Sequence, residues 1–255
     1  MSKIGKSGII KKWWLTPFFF MKAEKEIINI ELGESSSIDV SVGIGTNRAE
    51  VIEEIKKGVY RAFAFFDSLK DIKFEINFIY SREEFDKYLG EKTENWVIAH
   101  SFGNKFIIFA PEEIEKLTSH KRNEFQQIVC HETCHILLQK INPKFSFWMF
   151  EGIALNVSSQ IKRGDVKKEN IEYFINECLF KNTGYVDFIS HQGYLISYLL
   201  MKFLLDNYSK EIIMDLLKIR YESKNLAEEE LCKILSKTKE EVVNSAKNIL
   251  GNKTA

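Results

Sequence analysis

The alternation of apolar and polar positions divides the chain into a strand-bearing first part and a helical second part. Residues 25–32 and Ser37–Gly43 alternate as two strands joined by the turn Gly33-Glu34-Ser35-Ser36. Asn47-Arg48-Ala49-Glu50 is a capping box, and Val51, Ile52, Ile55, Val59, Ala62, Phe63 and Phe66 behind it recur at helical spacing. Ile72, Phe74, Ile76, Phe78 and Tyr80 alternate with Lys73, Glu75 and Asn77, the period of a half-buried strand. Ser81-Arg82-Glu83-Glu84 caps a short helix to Leu89. Residues 96–99 and 104–110 read as two more strands around the turn Ser101-Phe102-Gly103, with Pro111 at a helix start.

The pattern then changes. Across residues 124–139, Ile128, Val129, Cys130, Cys134, Ile136, Leu137 and Leu138 surround three polar side chains on every side, and a helix apolar all round is a buried one. The three are His131, Glu132 and His135, spaced HExxH. Positions i and i+4 lie one above the other on a helix, so the two imidazoles can aim at one point. Glu132 lands beside that point without competing for it. Two neutral imidazoles suit zinc, and a carboxylate just outside the coordination shell suits a general base for water. A pair of core histidines satisfied by carbonyls is the plainer alternative. Without partners, burial of these groups costs several kcal/mol, a cost that a metal removes.

Helical periodicity continues over residues 147–162, 168–180, 191–207, 210–220, 226–235 and 239–250, with a capping box at Thr238-Lys239-Glu240-Glu241. Between the first two of the buried helices, Asn142-Pro143 breaks the chain and turns it back. Sixteen residues beyond His135 stands Glu151, in the stretch Trp148-Met149-Phe150-Glu151-Gly152-Ile153-Ala154.

With HExxH followed by W-x-x-E-G-x-A, the chain resembles the gluzincin metallopeptidases, the thermolysin-like and alanyl-aminopeptidase-like families. The resemblance implies that Glu151 is the third metal ligand beside His131 and His135, that one Zn2+ is bound per chain, and that Glu132 is the catalytic base. It also implies an α+β fold: a small amino-terminal sheet with helices, a helical carboxy-terminal lobe, and the zinc in the cleft between them. By the same resemblance, the strand at 104–110 borders the cleft, where its backbone can pair with an extended substrate. Two departures stand out. Leu155 occupies the place of a carboxylate that orients a ligand histidine in thermolysin-like enzymes, with Asn156 nearby. In the stretch Ser190-His191-Gln192-Gly193-Tyr194, Ser190 occupies the place of a transition-state tyrosine; Gly193, Tyr198 and Leu199 match. His191, Tyr194 and Tyr185 are the available substitutes. His191 is preferred because thermolysin-like enzymes use a histidine, although an exposed or helix-capping histidine is an equal reading. The expected activity is hydrolysis of a peptide bond in a peptide or protein substrate. Ser190 leaves open a catalytically silent zinc-binding domain used for binding or sensing, against which stands the retained Glu132.

Composition narrows the rest. The 255 residues, 45% hydrophobic and 28% charged, suit one globular domain over residues 25–255, with lobes of about 25–140 and 141–255. Lysine plus arginine balances aspartate plus glutamate at 36 each, so nothing asks for a nucleic-acid partner. Cys130 and Cys134 read as small buried apolar residues; on a helical wheel they lie about 60–100° from the histidine face, which disfavours a shared thiolate site. With Cys178 and Cys232 they form no disulfide framework, which points to a reducing, cytoplasmic setting. No spanning helix is expected. Residues 1–24 are an aromatic segment behind a basic stretch, read as packed on the domain, with a signal or membrane-surface role as the alternative.

Overall fold

The structure, a computed structural model, describes residues 25–32, 36–43, 48–66 and 71–251. The aromatic segment 1–24, most of the expected turn at 33–36 and the Asn47 cap lie outside the described residues. The fold is α+β. Its strands are β1 (Lys25–Glu31), β2 (Ser37–Gly43), β3 (Lys73–Ile79), β4 (Ala99–Phe102) and β5 (Lys105–Phe109). They form one mixed sheet in the order β1-β2-β3-β5-β4. The β1–β2 and β4–β5 pairs are antiparallel, while β2–β3 and β3–β5 are parallel. A parallel neighbour needs a crossover, which helix α1 (Arg48–Phe65) supplies between β2 and β3. In β3, Phe74, Ile76 and Phe78 are buried and Lys73 and Glu75 exposed, as the alternation requires.

Helix α2 (Arg82–Leu89) begins as its sequence predicts, with Ser81 Oγ accepting from the Glu84 amide at 3.1 Å. After the short α3 (Ile114–Leu117) comes α4 (Phe125–Ile141), the HExxH helix. It lies along α1, and Gly58 permits that approach: a Cβ there would stand 2.7 Å from the Gln126 carbonyl. The helical half follows as α5 (Phe147–Val157), α6 (Lys168–Glu177), α7 (Tyr185–Ser190), α8 (Gly193–Asn207), α9 (Lys210–Leu217), α10 (Lys224–Leu235) and α11 (Lys239–Gly251). One hydrophobic core runs from the sheet through α4 and α5 into this half. Among the described residues no helix is long and apolar enough to cross a membrane.

Two expectations are corrected. The hairpin turns at Gly103-Asn104, with Phe102 opposite Lys105, and residues 94–97 form a loop, not a strand. The cause is Arg82, whose guanidinium captures Thr93 Oγ1 and the Glu94 and Val97 carbonyls. The strand expected to border the cleft, 104–110, is instead interior. β5 sits between β3 and β4 with Phe106, Ile107, Ile108 and Phe109 all fully buried, as a run apolar on both faces demands. The edge strand that packs near α4 is β4. The helix expected over 191–207 is α8, which starts at Gly193 because Gln192, with a left-handed φ of 58°, separates it from α7.

Candidate metal centre

Helix α4 contains neither glycine nor proline, and every residue from Ile128 to Leu138 is buried. It stops at Asn142, whose side chain donates to the Leu217 and Ile219 carbonyls at 3.0 and 2.7 Å and accepts from the Lys144 amide at 2.8 Å. That one residue ends α4, anchors it to the end of α9 and starts the reversal into α5. Helix α5 is held close to α8 by Gly152, where a Cβ would meet the Ser197 carbonyl at 2.7 Å and Met201 Cβ at 2.8 Å. Gly152 therefore allows Glu151, the residue before it, to sit at the junction of α4, α5 and α8.

There three side chains meet. His131 Nε2 and His135 Nε2 are 2.9 Å apart, and Glu151 lies 3.3 Å from the first through Oε2 and 3.6 Å from the second through Oε1. A tetrahedral ion with ligand bonds of about 2.0–2.1 Å separates its ligand atoms by about 3.3 Å, so the triangle has the right size. The donor set fits as well. Both Nε2 atoms point to the same place as the carboxylate, and Glu151 Oε2 is buried without a hydrogen-bond donor, so its lone pairs are free for a cation. The buried group His131, His135 and Glu151 could hold a metal ion.

The surrounding shell departs from common practice. Both Nδ1 atoms are buried and unpartnered, although metal-bound histidines usually donate from that nitrogen. Leu155 is buried and offers nothing polar, while Asn156 donates to the Gly152 and Tyr198 carbonyls and so ties α5 to α8. The His135 ring is oriented by stacking: it lies flat on Phe150 at 4.3 Å, and Phe150 lies flat on Phe145.

Electrostatics separates the two glutamates. Burial alone raises Glu151, but the imidazoles of His135 and His131, 3.6 and 3.3 Å away, outweigh it and hold the carboxyl well below the usual range. Such a carboxylate stays ionised for a cation. Burial pushes Glu132 up to about 7, against His131, which lowers it; Glu151 raises it further and a hydrogen bond from the Ser101 hydroxyl on β4 lowers it. A carboxylate poised near neutrality can both take and return a proton.

His191 is placed elsewhere. Its Nδ1 donates to the Asp187 carbonyl at 2.7 Å and its ring lies flat on Tyr173 at 3.6 Å, so it faces α6. Ser190 caps α7 by donating to the same carbonyl at 3.0 Å. The phenol hydroxyls within electrostatic reach of Glu151 and Glu132 are those of Tyr185 and Tyr194, hydrogen-bonded to each other at 2.7 Å. Burial pushes Tyr185 up to about 12 and Tyr194 well above its ordinary value, so both remain donors. Sequence reading missed His100 and Ser101 on β4. His100, though exposed, is lowered by partial desolvation and then by His135, with Glu151 and Glu91 opposing. Correct placement of the hairpin turn would have revealed both. A concavity of about 880 Å³ lined by Glu50, Glu54, Glu115 and Arg122 lies away from these groups and is not the site. All four cysteines are free, with Cys130, Cys134 and Cys178 buried. No protein-family model matches the chain, and no curated protein matches it.

Proposed function

We propose that the chain is a zinc-dependent metallopeptidase of gluzincin type. The observation that carries this reading is the convergence of His131, His135 and Glu151 at tetrahedral spacing beside Glu132, a carboxyl raised to about 7. His131, His135 and Glu151 would hold the zinc, which when bound supplies Lewis acidity toward a carbonyl and toward water. The chain's own groups do the rest. Glu132 accepts a proton from the attacking water and returns it to the leaving amine. Ser101 orients Glu132 through its hydroxyl. Tyr194 or Tyr185 donates to the oxygen on which negative charge develops. Hydroxyls held above their ordinary pKa suit that task, since they donate without ionising. The test is metal content together with hydrolysis of a degenerate peptide pool by parent and Glu132→Gln protein. Zinc near one per chain in both, with cleavage only by the parent, supports the reading; cleavage by the variant at the parent rate rejects it.

A second reading is a zinc-binding domain without activity. It is favoured by the shallow exposure of His131, Glu132, His135 and Glu151, each only 5–8% accessible. Zinc binding without cleavage of any peptide would select it.

A further inference from the structure

The segment 91–97 is tied down from several directions. Arg82 donates to Thr93 Oγ1 at 3.0 Å, to the Val97 carbonyl at 2.9 Å and to the Leu117 carbonyl. Asp86 accepts from the Thr93 amide and hydroxyl at 3.0 and 2.6 Å, and the Ser119 amide donates to the Asn95 carbonyl at 3.0 Å. His120 Nε2 donates to the Trp96 carbonyl at 2.9 Å. A segment so fastened is a wall rather than a flap.

At its tip Trp96, 38% exposed, meets the edge of the Tyr194 ring with centroids 6.2 Å apart. The contact joins the sheet-bearing half to α8 beside the two glutamates. On the same ring lies Lys162 from the segment after α5, its Nζ 5.9 Å from the centroid. Among the described residues no carboxylate pairs with Lys162. A chain threaded through a site needs openings on both sides, and the Trp96–Tyr194 contact bridges one of them. A cation without an acid partner stands at that bridged end, whereas Glu132 and Glu151 are already engaged.

We propose that the fixed 91–97 segment bars one end of the approach, so that the site takes the carboxyl end of a peptide, with Lys162 receiving the terminal carboxylate beside Tyr194. This rests on the peptidase reading above and names its substrate class. A peptide without a free carboxylate, or the middle of a long chain, lacks both the ion pair and the room.

Two pools of random hexapeptides, amino-terminally acetylated and either free or amidated at the carboxyl end, test the proposal. The parent should cleave the free pool near its carboxyl end, and amidation should lower kcat/KM by about 10–100-fold, the value of a hydrogen bond to a charged group. Lys162→Met should erase that preference and Lys162→Arg keep it. Trp96→Gly should admit the amidated pool. Equal cleavage of the two pools by the parent, or a requirement for a free amino terminus in further unblocked peptides, overturns the proposal and leaves the peptidase reading standing. Binding is read separately in zinc-loaded Glu132→Gln protein by Trp96 fluorescence, with Trp96→Phe as the blank. Selective binding of the free pool supports carboxylate capture even if the parent cleaves nothing, in which case only the peptidase reading fails. Equal binding of both pools overturns the proposal.

Discussion

His131 and His135 meet because they are four residues apart on one helix, and Glu151 joins them because a single turn folds α5 back on α4. The wall facing them is assembled differently. Trp96 comes from a loop held by Arg82, Ser101 from an edge strand, and Tyr185 and Tyr194 from two helices separated by a left-handed residue. The first region follows from helical geometry alone. The second exists only when the whole chain is in place, so damage to it should leave metal binding intact. Metal occupancy and activity should therefore respond separately to substitution.

The largest effect is expected at the helix pair. His135→Ala or Glu151→Gln should reduce zinc from near one per chain to near zero and abolish hydrolysis. Both should also lower the melting temperature, because a ligand bound only by the native state stabilises it. Elemental analysis and thermal unfolding measure the two results, and a variant that keeps its zinc breaks the assignment of that ligand. Next comes Glu132→Gln, which should retain zinc while hydrolysis falls about 10²–10⁴-fold, the usual cost of losing a general base.

On the opposite wall the distinction can be sharpened. Tyr194→Phe or Tyr185→Phe should lower kcat by about 10²–10³-fold with zinc unchanged, as expected for loss of an oxyanion donor. His191→Ala should leave kcat nearly unaltered, since that ring is committed to Tyr173 and the Asp187 carbonyl. Steady-state kinetics on one peptide compares the three variants, and a large loss in His191→Ala alone would return the donor role to that residue.

Two smaller effects concern stability. Gly152→Ala should destabilise by about 1–3 kcal/mol in chemical denaturation, because the added methyl meets the Ser197 carbonyl at 2.7 Å in an already filled contact. The other is a pH dependence. Burial raises Glu132 from 4.5 to about 7. Its contribution to folding is complete below about pH 4.5 and is lost as pH rises through about 7. In metal-free protein, Glu132→Gln should therefore melt increasingly above the parent as pH rises from about 4.5 to about 7, with the difference levelling off beyond. A melting difference that does not change across this range would contradict the raised value.

Much of this was legible in the chain, and the rest failed for identifiable reasons. The buried α4, the convergence of its histidines and the capping at Ser81 and Thr238 all depend on neighbours within one or two helical turns. Thr238 and Glu241 indeed form a reciprocal pair, at 2.7 and 3.2 Å. The hairpin register was misplaced because Arg82, some ten to fifteen residues upstream, removes 93–97 from the sheet. The interior position of β5 was written in Phe106-Ile107-Ile108-Phe109, a run without a polar face. His191 drew attention through its place beside Ser190, but its direction is set by Gln192 and by Tyr173, which lies on another helix.

Asn142 has a consequence for how the molecule ages. Asparagines in turns are gradually converted to aspartate when the amide nitrogen of the next residue attacks the side chain and closes a succinimide. Here the next residue is Pro143, whose ring nitrogen has no hydrogen to lose. Conversion would remove the Nδ2 donor from between the Leu217 and Ile219 carbonyls and set a carboxylate against both oxygens, at the end of the helix that carries His131 and His135. The Asn-Pro pair thus does more than stop α4. It closes the succinimide route of decay at the anchor of that helix.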